Sequence, residues 1–148
     1  MKESDLNFFI DSTLNYFREI TDKEAVAGIP YVKREDPVVL DITGIIGISG
    51  KQKGCIYLTT PREMLKDLGD IILGNTNYGQ EELKDLIGEI ANTIAGNVRD
   101  VYGSGFLISV PAVVIGKPKD ISFPEKVSAF VVPLKWQEHR SFLAVCLE

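Results

Sequence analysis

One stretch of the sequence combines a carboxylate and an amide at a spacing that can support chemistry. Glu89 and Asn92 lie three residues apart in a segment whose apolar periodicity predicts a long helix from about Gln80 to Tyr102. Side chains at this spacing are neighbours on a helix surface. The carboxylate can pair with a cation while the amide oxygen holds a water molecule. Such pairs are also common by chance, so the pair alone does not identify an activity.

The predicted helix separates its apolar and polar side chains. At about 100° per residue, one narrow apolar stripe faces the core, and it consists of Leu83, Ile87, Ile90, Ile94, Val98 and Val101. The opposite, exposed side carries polar and small residues, namely Asp85, Glu89, Asn92, Arg99, Gly88, Ala95 and Gly96. Asn97 falls at the edge of the stripe, where an amide must be hydrogen-bonded, so we interpret it as structural.

Two glycines, Gly88 and Gly96, lie one turn on either side of Asn92. Each costs about 1 kcal/mol relative to alanine inside a helix, so their presence needs an explanation. Without side chains there, the helix surface is low around the amide, and the backbone of a partner can approach Glu89 and Asn92. Alternatively, both glycines pack against the second predicted helix, and the sequence leaves the two explanations open.

Other candidate sites have little support in the sequence. The single histidine, His139, lies in a predicted surface turn, and with Cys55 and Cys146 it does not supply the convergent ligands of a metal site. Both cysteines lie in apolar runs, and we interpret them as buried thiols of a reducing compartment. The glycines of segment 44–51 resemble a phosphate loop, but a strand follows where a helix is needed. We expect these glycines to let the hairpin twist or a neighbour pack close.

The composition is that of an ordinary globular chain. Of 148 residues, 45% are hydrophobic and 25% are charged, which predicts a single domain over residues 1–148. The net charge is −5 and no basic patch occurs, so a nucleic-acid partner is not expected. A signal-peptide pattern is lacking, and no apolar run approaches the ~18 residues of a membrane span. We therefore expect a soluble, cytoplasmic protein without a membrane partner.

The elements that must position the long helix are predicted from periodicity and capping residues. A first helix covers residues 4–21 with Ser4 as its N-cap. Residues 22–37 are predicted to be irregular, and strands at 38–49 and 55–59 form a hairpin. A second helix begins with Thr60 as cap, Pro61 in the first turn and Glu63 completing a capping box, and it ends at Gly74-Asn75.

Three further strands are predicted after the long helix, at Leu107–Ile115, Lys126–Trp136 and Phe142–Leu147, with residues 137–140 as a polar turn. Long βαβ alternation is absent. The sequence therefore predicts an α+β, sandwich-like fold with a mixed, mostly antiparallel sheet and helices packed on one face.

With these elements in place, the pattern Asp85-x-x-x-Glu89-x-x-Asn92 resembles the signature of the CheC/CheX/FliY phosphatases of bacterial chemotaxis. The resemblance extends over nearly the whole chain. It includes the glycine-bearing hairpin at 44–54, the helix starting near residue 60 and a later strand with Pro111. CheC-type members carry two copies of the Glu-x-x-Asn signature, and only one is found here, which favours the CheX branch.

The resemblance implies an activity and a site. It implies dephosphorylation of the phospho-aspartyl response regulator CheY, with Glu89 and Asn92 as catalytic residues and Asp85, Gly88 and Gly96 as docking residues. Asn92 would hold the attacking water, and Glu89 would pair with a lysine of the regulator. The chain would need no cofactor of its own, because the regulator carries Mg²⁺. The alternative is a non-catalytic chemotaxis or flagellar interaction module with the same fold.

The resemblance also implies a homodimer joined through sheet edges, and the strand pattern offers a physical reason. The last three predicted strands are strongly apolar, and an apolar edge invites pairing. Lys126–Trp136 is longer than the usual ~5–6 residues of a strand, so its excess could continue the sheet of a second subunit. The alternative is a monomer whose edge is blunted by Pro111 or Pro133.

Overall fold

The computed structural model describes residues 3–33, 37–74, 79–116 and 129–147, which form three helices and eight strands. The helices are α1 (Glu3–Thr21), α2 (Arg62–Leu73) and α3 (Gln80–Tyr102). The strands are β1 (Ala25–Ala27), β2 (Tyr31–Lys33), β3 (Ile42–Gly50), β4 (Gly54–Thr60), β5 (Phe106–Ile108), β6 (Ala112–Ile115), β7 (Ala129–Trp136) and β8 (His139–Leu147).

All of these strands belong to one sheet. Its order is β1-β7-β8-β4-β3-β5, with β2 also paired to β7 and β6 also paired to β3. Every pair of described strands is antiparallel. The predicted α+β class is therefore confirmed, as is the predominance of antiparallel pairs, and the described strands contain no parallel pair of the kind a mixed sheet would have.

The main core lies between the helices and one face of the sheet. Alternate residues of the central strands point into it, as the period-two pattern predicts, and these include Ile42, Ile46, Ile48, Ile56, Leu58, Leu143 and Val145. The apolar stripe of α3 packs against these residues. The predicted helix α3 has the bounds that the structure shows, and its placement over β3 decides where its outer face points.

A glycine sets the distance between α3 and the sheet. A Cβ added at Gly44 of β3 would lie 2.9 Å from the carbonyl oxygen of Ile87 and 3.3 Å from the Cβ of Ala91. Real side chains do not come this close to backbone oxygen, so only glycine lets the helix reach its position. The expectation that a hairpin glycine lets a neighbour pack close is thus met at Gly44, where the neighbour is the α3 backbone.

Helix α1 is tied to α3 by two polar contacts. The Ser12 hydroxyl donates to the carbonyl oxygen of Ile94 (3.0 Å), and the Tyr102 hydroxyl donates to Oδ1 of Asp5 (2.6 Å). Burial and the neighbouring Asp5 carboxylate, in that order, raise the pKa of Tyr102 well above its ordinary value. These contacts fix α1 beside the outer face of α3.

Two predicted helix caps are wrong. Helix α1 already includes Glu3, so Ser4 lies within the helix rather than at its N-cap. Thr60 belongs to β4, and within the described residues its buried hydroxyl has no hydrogen-bond partner. Helix α2 instead receives its cap from Asp41, whose Oδ2 accepts a hydrogen bond from the Arg62 backbone N–H at 2.9 Å. Its other end agrees with the prediction, since Gly74 adopts a left-handed conformation; Asn75 lies outside the described residues.

The strands differ from their predictions at several ends. The region expected to be irregular contains β1 and β2, and β3 begins at Ile42 rather than at residue 38. The predicted strand Leu107–Ile115 is interrupted at Ser109, whose hydroxyl accepts from the Gly47 backbone N–H at 2.8 Å, so β5 and β6 are separate. His139 and Arg140 start β8 instead of completing a turn. Residues 126–128 lie outside the described residues.

One outer edge of the sheet comes from a C-terminal strand as expected, since β5 and β6 correspond to the predicted strand Leu107–Ile115, whereas β7 is not an edge. The free side of β7 is covered by β1 and β2, and between them the Gly28 backbone N–H donates to the carbonyl oxygen of Pro133 (2.7 Å). The described part of β7 is therefore not a free edge that could pair with a second subunit, and residues 126–128, the predicted excess of this strand, lie outside the described residues. The edges are formed by β1 and β2 on one side and by β5 and β6 on the other. Both expose apolar side chains, including Val26 (64%) and Leu107 (46%).

The two cysteines face each other on neighbouring strands. Cys55 of β4 lies directly opposite Cys146 of β8, and both are free thiols. Cys146 is buried as predicted, whereas Cys55 is half-buried. A hydrogen bond with Cys146, followed by burial, raises the pKa of the Cys55 thiol far above its ordinary value, so this thiol remains protonated at neutral pH.

Replacing Gly44 with alanine should destabilise the protein by about 1–3 kcal/mol, because the new methyl group must push α3 away from β3. Thermal or urea unfolding measures this loss. Gly96→Ala is the matched control, since a Cβ there meets nothing within 4 Å and should stabilise the helix by up to about 1 kcal/mol. Equal stability of the Gly44→Ala variant and the wild type would contradict the close-contact argument.

Candidate functional site

The outer face of α3 carries the site, because its inner face is fixed in the core. Leu83, Ile87, Ile90, Ile94 and Val98 are all buried, as the stripe predicts. Val101, in the last turn, is 57% exposed, so the buried stripe ends one turn earlier than predicted. The rotation of the helix therefore agrees with the helical-wheel analysis for the apolar stripe, whereas Gly88 and Ala95, which were predicted on the exposed side, are buried.

Glu89 and Asn92 lie on this outer face as predicted, but with unequal exposure. Glu89 and Asp85 are exposed, whereas Asn92 is half-buried. The hydroxyl of Thr93 donates to the backbone carbonyl of Glu89 (2.8 Å), not to its carboxylate. Within the described part of the chain, no hydrogen bond or ion pair engages the side chains of Asp85, Glu89 or Asn92. A carboxylate and an amide are thus available, side by side, for groups from another molecule.

Tyr16 of α1 is a neighbour of Glu89 that the sequence analysis did not single out. Its side chain is buried, and burial together with the negative charge of Glu89 raises the pKa of Tyr16 to about 12. The phenol is therefore neutral at physiological pH, and the negative charge beside it is that of Glu89. The only signal in the sequence was a tyrosine among the apolar residues of α1, and tyrosines are common in cores.

The two glycines beside Asn92 have different surroundings. Gly88 is buried, and a Cβ there would make ordinary contact with Pro111 and Val113, at 3.5 and 3.6 Å. Its predicted place on the exposed side is wrong, because the chain before β6 covers that flank of α3. The packing alternative applies to Gly88, although its neighbour is not the second helix. Gly96 is open, since a Cβ there would meet nothing within 4 Å.

Asn97 does not have the structural role that its position on the helical wheel predicted. It is exposed and, with Asp11, Ser12 and Asn15 of α1, lines a surface cavity of about 320 Å³ between the two helices. The prediction failed because α1 does not cover this turn of α3, so the amide lies in a cleft open to solvent instead of at the core edge.

The histidine lies far along the sequence from its partner. His139 Nε2 is 2.6 Å from Oδ2 of Asp67 in α2, and the imidazole stacks on Trp136 at 6.2 Å between ring centroids. The two residues are 72 positions apart, so no local pattern indicated the pair. Across the described ranges, no group of three His, Cys, Asp or Glu side chains is arranged to hold a metal ion.

None of the described helices is both long enough and apolar enough to cross a membrane.

A comparison with known protein families identifies the family of this chain. Residues 42–135, which include the whole of α3, match the family described as chemotaxis phosphatase CheX. The chain belongs to the CheX family. The resemblance to CheC/CheX/FliY proteins, with CheX as the nearest branch, is thereby confirmed. Among curated proteins, no sequence matches the chain.

Solved structures show the same fold over almost the entire chain. A CheC-like superfamily protein from Shewanella sp. PV-4 is 26% identical with a TM-score of 0.88, covering 100% of this chain and 99% of that one. CheX from Desulfovibrio desulfuricans is 26% identical with a TM-score of 0.87, covering 98% and 99%.

A CheX–CheY–BeF₃–Mg²⁺ complex from Borrelia burgdorferi contains a chain 21% identical to this one, with a TM-score of 0.78 and coverage of 97% of both chains. At this identity the likeness shows the fold alone. The likeness covers almost the whole chain and therefore extends beyond residues 42–135, the range of the family match.

Proposed function

We propose that this CheX-family chain dephosphorylates a phospho-aspartyl response regulator of the CheY type. The observation that carries the proposal is that Glu89 and Asn92 lie one turn apart on the outer face of α3. Within the described residues, neither side chain has a hydrogen-bond or ion-pair partner. The family match to chemotaxis phosphatases supports the activity. The Borrelia burgdorferi complex, in which a CheX is assembled with CheY, BeF₃ and Mg²⁺, supports the choice of partner.

The reaction is hydrolysis of an acyl phosphate. A water oxygen attacks phosphorus, the bond between phosphorus and the aspartyl oxygen breaks, and the products are inorganic phosphate and the aspartate carboxylate. The transition state is loose and gains little from a strong base, so the main needs are charge stabilisation and a positioned water. We assign the charge stabilisation to the regulator, with its own Mg²⁺ and lysine, and the positioning to this chain, which then requires no cofactor of its own.

Asn92 is suited to position the water. Its amide oxygen accepts a hydrogen bond from the water, and its half-buried side chain has less rotational freedom than a fully exposed one. A rigid helix fixed against the sheet holds the amide at a constant height. Orientation of a reactant in this way can contribute several kcal/mol, up to about 7–11 in the best cases.

Glu89 is suited to bind a cation of the regulator. Its carboxylate is exposed, so it can reach a lysine at the phosphorylation site and set the depth to which α3 enters. Asp85, one turn earlier, and the open surface at Gly96, one turn after Asn92, are assigned to docking. Gly88 is buried beside Pro111 on the flank of the helix, so it is not assigned a docking contact.

The alternative function is a non-catalytic interaction module of chemotaxis or the flagellum. It would use the same face of α3 for binding but would release no phosphate. The measurement that separates the two is phosphate release from a phosphorylated response regulator with and without the chain. The proposal also keeps two predictions of the sequence analysis, a single-domain chain and a cytoplasmic location.

Asn92→Ala should lower stimulated phosphate release by about 100-fold or more, because the attacking water loses its orienting group. The fold should persist, since alanine is a better helix former than asparagine. Asn97→Ala is the control, because Asn97 is a second asparagine on the same helix and lies outside the proposed site, and it should keep full activity. Full activity of the Asn92→Ala variant would remove the water-positioning role.

Glu89→Gln should weaken both binding and turnover, because the amide keeps the shape of the side chain and loses its charge. Glu89→Ala removes both the charge and the shape of the side chain, so the difference between the two variants separates the contribution of the charge from that of the shape. Asp100→Asn, an equivalent change at an exposed acid near the end of α3, is the control and should have no effect. Wild-type affinity and rate in both Glu89 variants would exclude Glu89 from the site.

We also propose a homodimer joined at a sheet edge, which leaves both α3 faces free. The support is the apolar exposure of the edge strands, including Val26 on β1 and Leu107 on β5. Light scattering should give twice the chain mass of 16.4 kDa. Val26→Lys and Leu107→Lys place a charge on one edge each, and one of them should produce monomers. A wild-type mass of a single chain at micromolar concentration would refute the dimer.

A further inference from the structure

A groove runs along the α3 face directly beside the proposed catalytic pair. It is a cavity of about 470 Å³ between the three helices, and Glu89 forms part of its wall. The described residues that define it for this argument are Tyr16 and Ile20 of α1, Ile72 and Leu73 of α2, and Asp85 and Glu89 of α3. Two residues, Asp85 and Glu89, thus belong both to the groove and to the proposed site.

Two large apolar side chains that line the groove are exposed to solvent. Ile20, in the last turn of α1, is 47% exposed, and Leu73, the last residue of α2, is 50% exposed. Both lie at helix ends, where a polar residue would extend each helix equally well. Two large aliphatic side chains that are open to solvent and line the same groove are typical of a contact surface for another protein.

The rim of the groove is negatively charged. Asp85 and Glu89 follow each other at one-turn spacing along α3, and no lysine, arginine or histidine occurs among the described residues that line the groove. Tyr16 adds no charge, because its pKa is raised to about 12. Exposed apolar side chains beside acidic ones complement a segment that carries a large apolar side chain next to a lysine or arginine.

We propose that this groove receives an apolar side chain of the response regulator that lies beside a cationic residue, and that it thereby selects which regulator the chain serves. The inference rests on the proposed function, because the regulator must bring a lysine to Glu89. A regulator bound there necessarily covers the surface next to Glu89, and that surface is the groove. Ile20 and Leu73 are therefore specificity-determining residues, and neither touches the phosphoryl group.

The double variant Ile20→Ser with Leu73→Ser tests the groove separately from the chemistry. With a phosphorylated CheY-type regulator as substrate, KM should rise about tenfold, because two apolar contacts are lost, while kcat at saturation stays near the wild-type value. Val101→Ser with Val110→Ser is the matched control. It removes two aliphatic side chains that are more exposed than Ile20 and Leu73 and do not line the groove, so KM should not change.

Asp85→Asn tests the acidic rim. It should raise KM and make KM less dependent on salt, because one charge pair with the regulator is lost. Thermal unfolding of each variant confirms that it is folded, and Leu73→Ser alone serves as a milder variant should the double change destabilise α1.

The outcomes separate the two proposals. A wild-type chain that releases no phosphate from any CheY-type regulator defeats the proposed function, and the groove proposal falls with it. A wild type that is active, combined with an unchanged KM in the Ile20→Ser/Leu73→Ser variant, overturns the groove alone. A fall in kcat with an unchanged KM also overturns it, because the two residues would then act on catalysis instead of docking.

Discussion

The close contact between β3 and α3 at Gly44 is the constraint on which the site depends. A Cβ at this position would lie 2.9 Å from the carbonyl oxygen of Ile87 and 3.3 Å from the Cβ of Ala91. Ile87 precedes Glu89 by two residues, and Ala91 immediately precedes Asn92. The contact therefore constrains the height and the rotation of the helix at the turn that carries Glu89 and Asn92. The exposed carboxylate and the half-buried amide thus lie on a backbone that packs directly against the sheet.

The features that the sequence predicted well are those with local signals. Helix α3 was predicted with its observed bounds because its apolar residues repeat at the helical period, and Gly103, with φ of 90°, ends it. The hairpin of β3 and β4 follows from period two and a polar turn. Glu89 and Asn92 were found because their spacing is a property of one helix, and the resemblance to a chemotaxis phosphatase signature then gave that spacing a chemical meaning.

The features that the sequence missed depend on partners far along the chain. The N-terminus of α2 is capped by Asp41, which lies 21 residues before Arg62. The break between β5 and β6 follows from a hydrogen bond between Ser109 and Gly47, 62 residues apart. Strands β1 and β2 have three residues each, too few for a period to show. In each case the local sequence is compatible with several structures, and tertiary contacts choose one.

Gly88 and Gly96 show how the same limit applies to the site. They are the same residue on the same helix, one turn to either side of Asn92, yet Gly88 packs under Pro111 while Gly96 is open. A helical wheel cannot distinguish them, because the chain that covers one flank returns only after α3 has ended. The same reasoning separates the proposed catalytic site from the proposed docking groove. Glu89 and Asn92 lie on one helix and can be identified from one motif, whereas the groove is formed by three helices and becomes visible only in the fold. Its exposed residues Ile20 and Leu73 lie at helix ends outside the contact at Gly44. Under the two proposals, those ends could change without moving Glu89 and Asn92, so that partner choice and hydrolysis would vary independently.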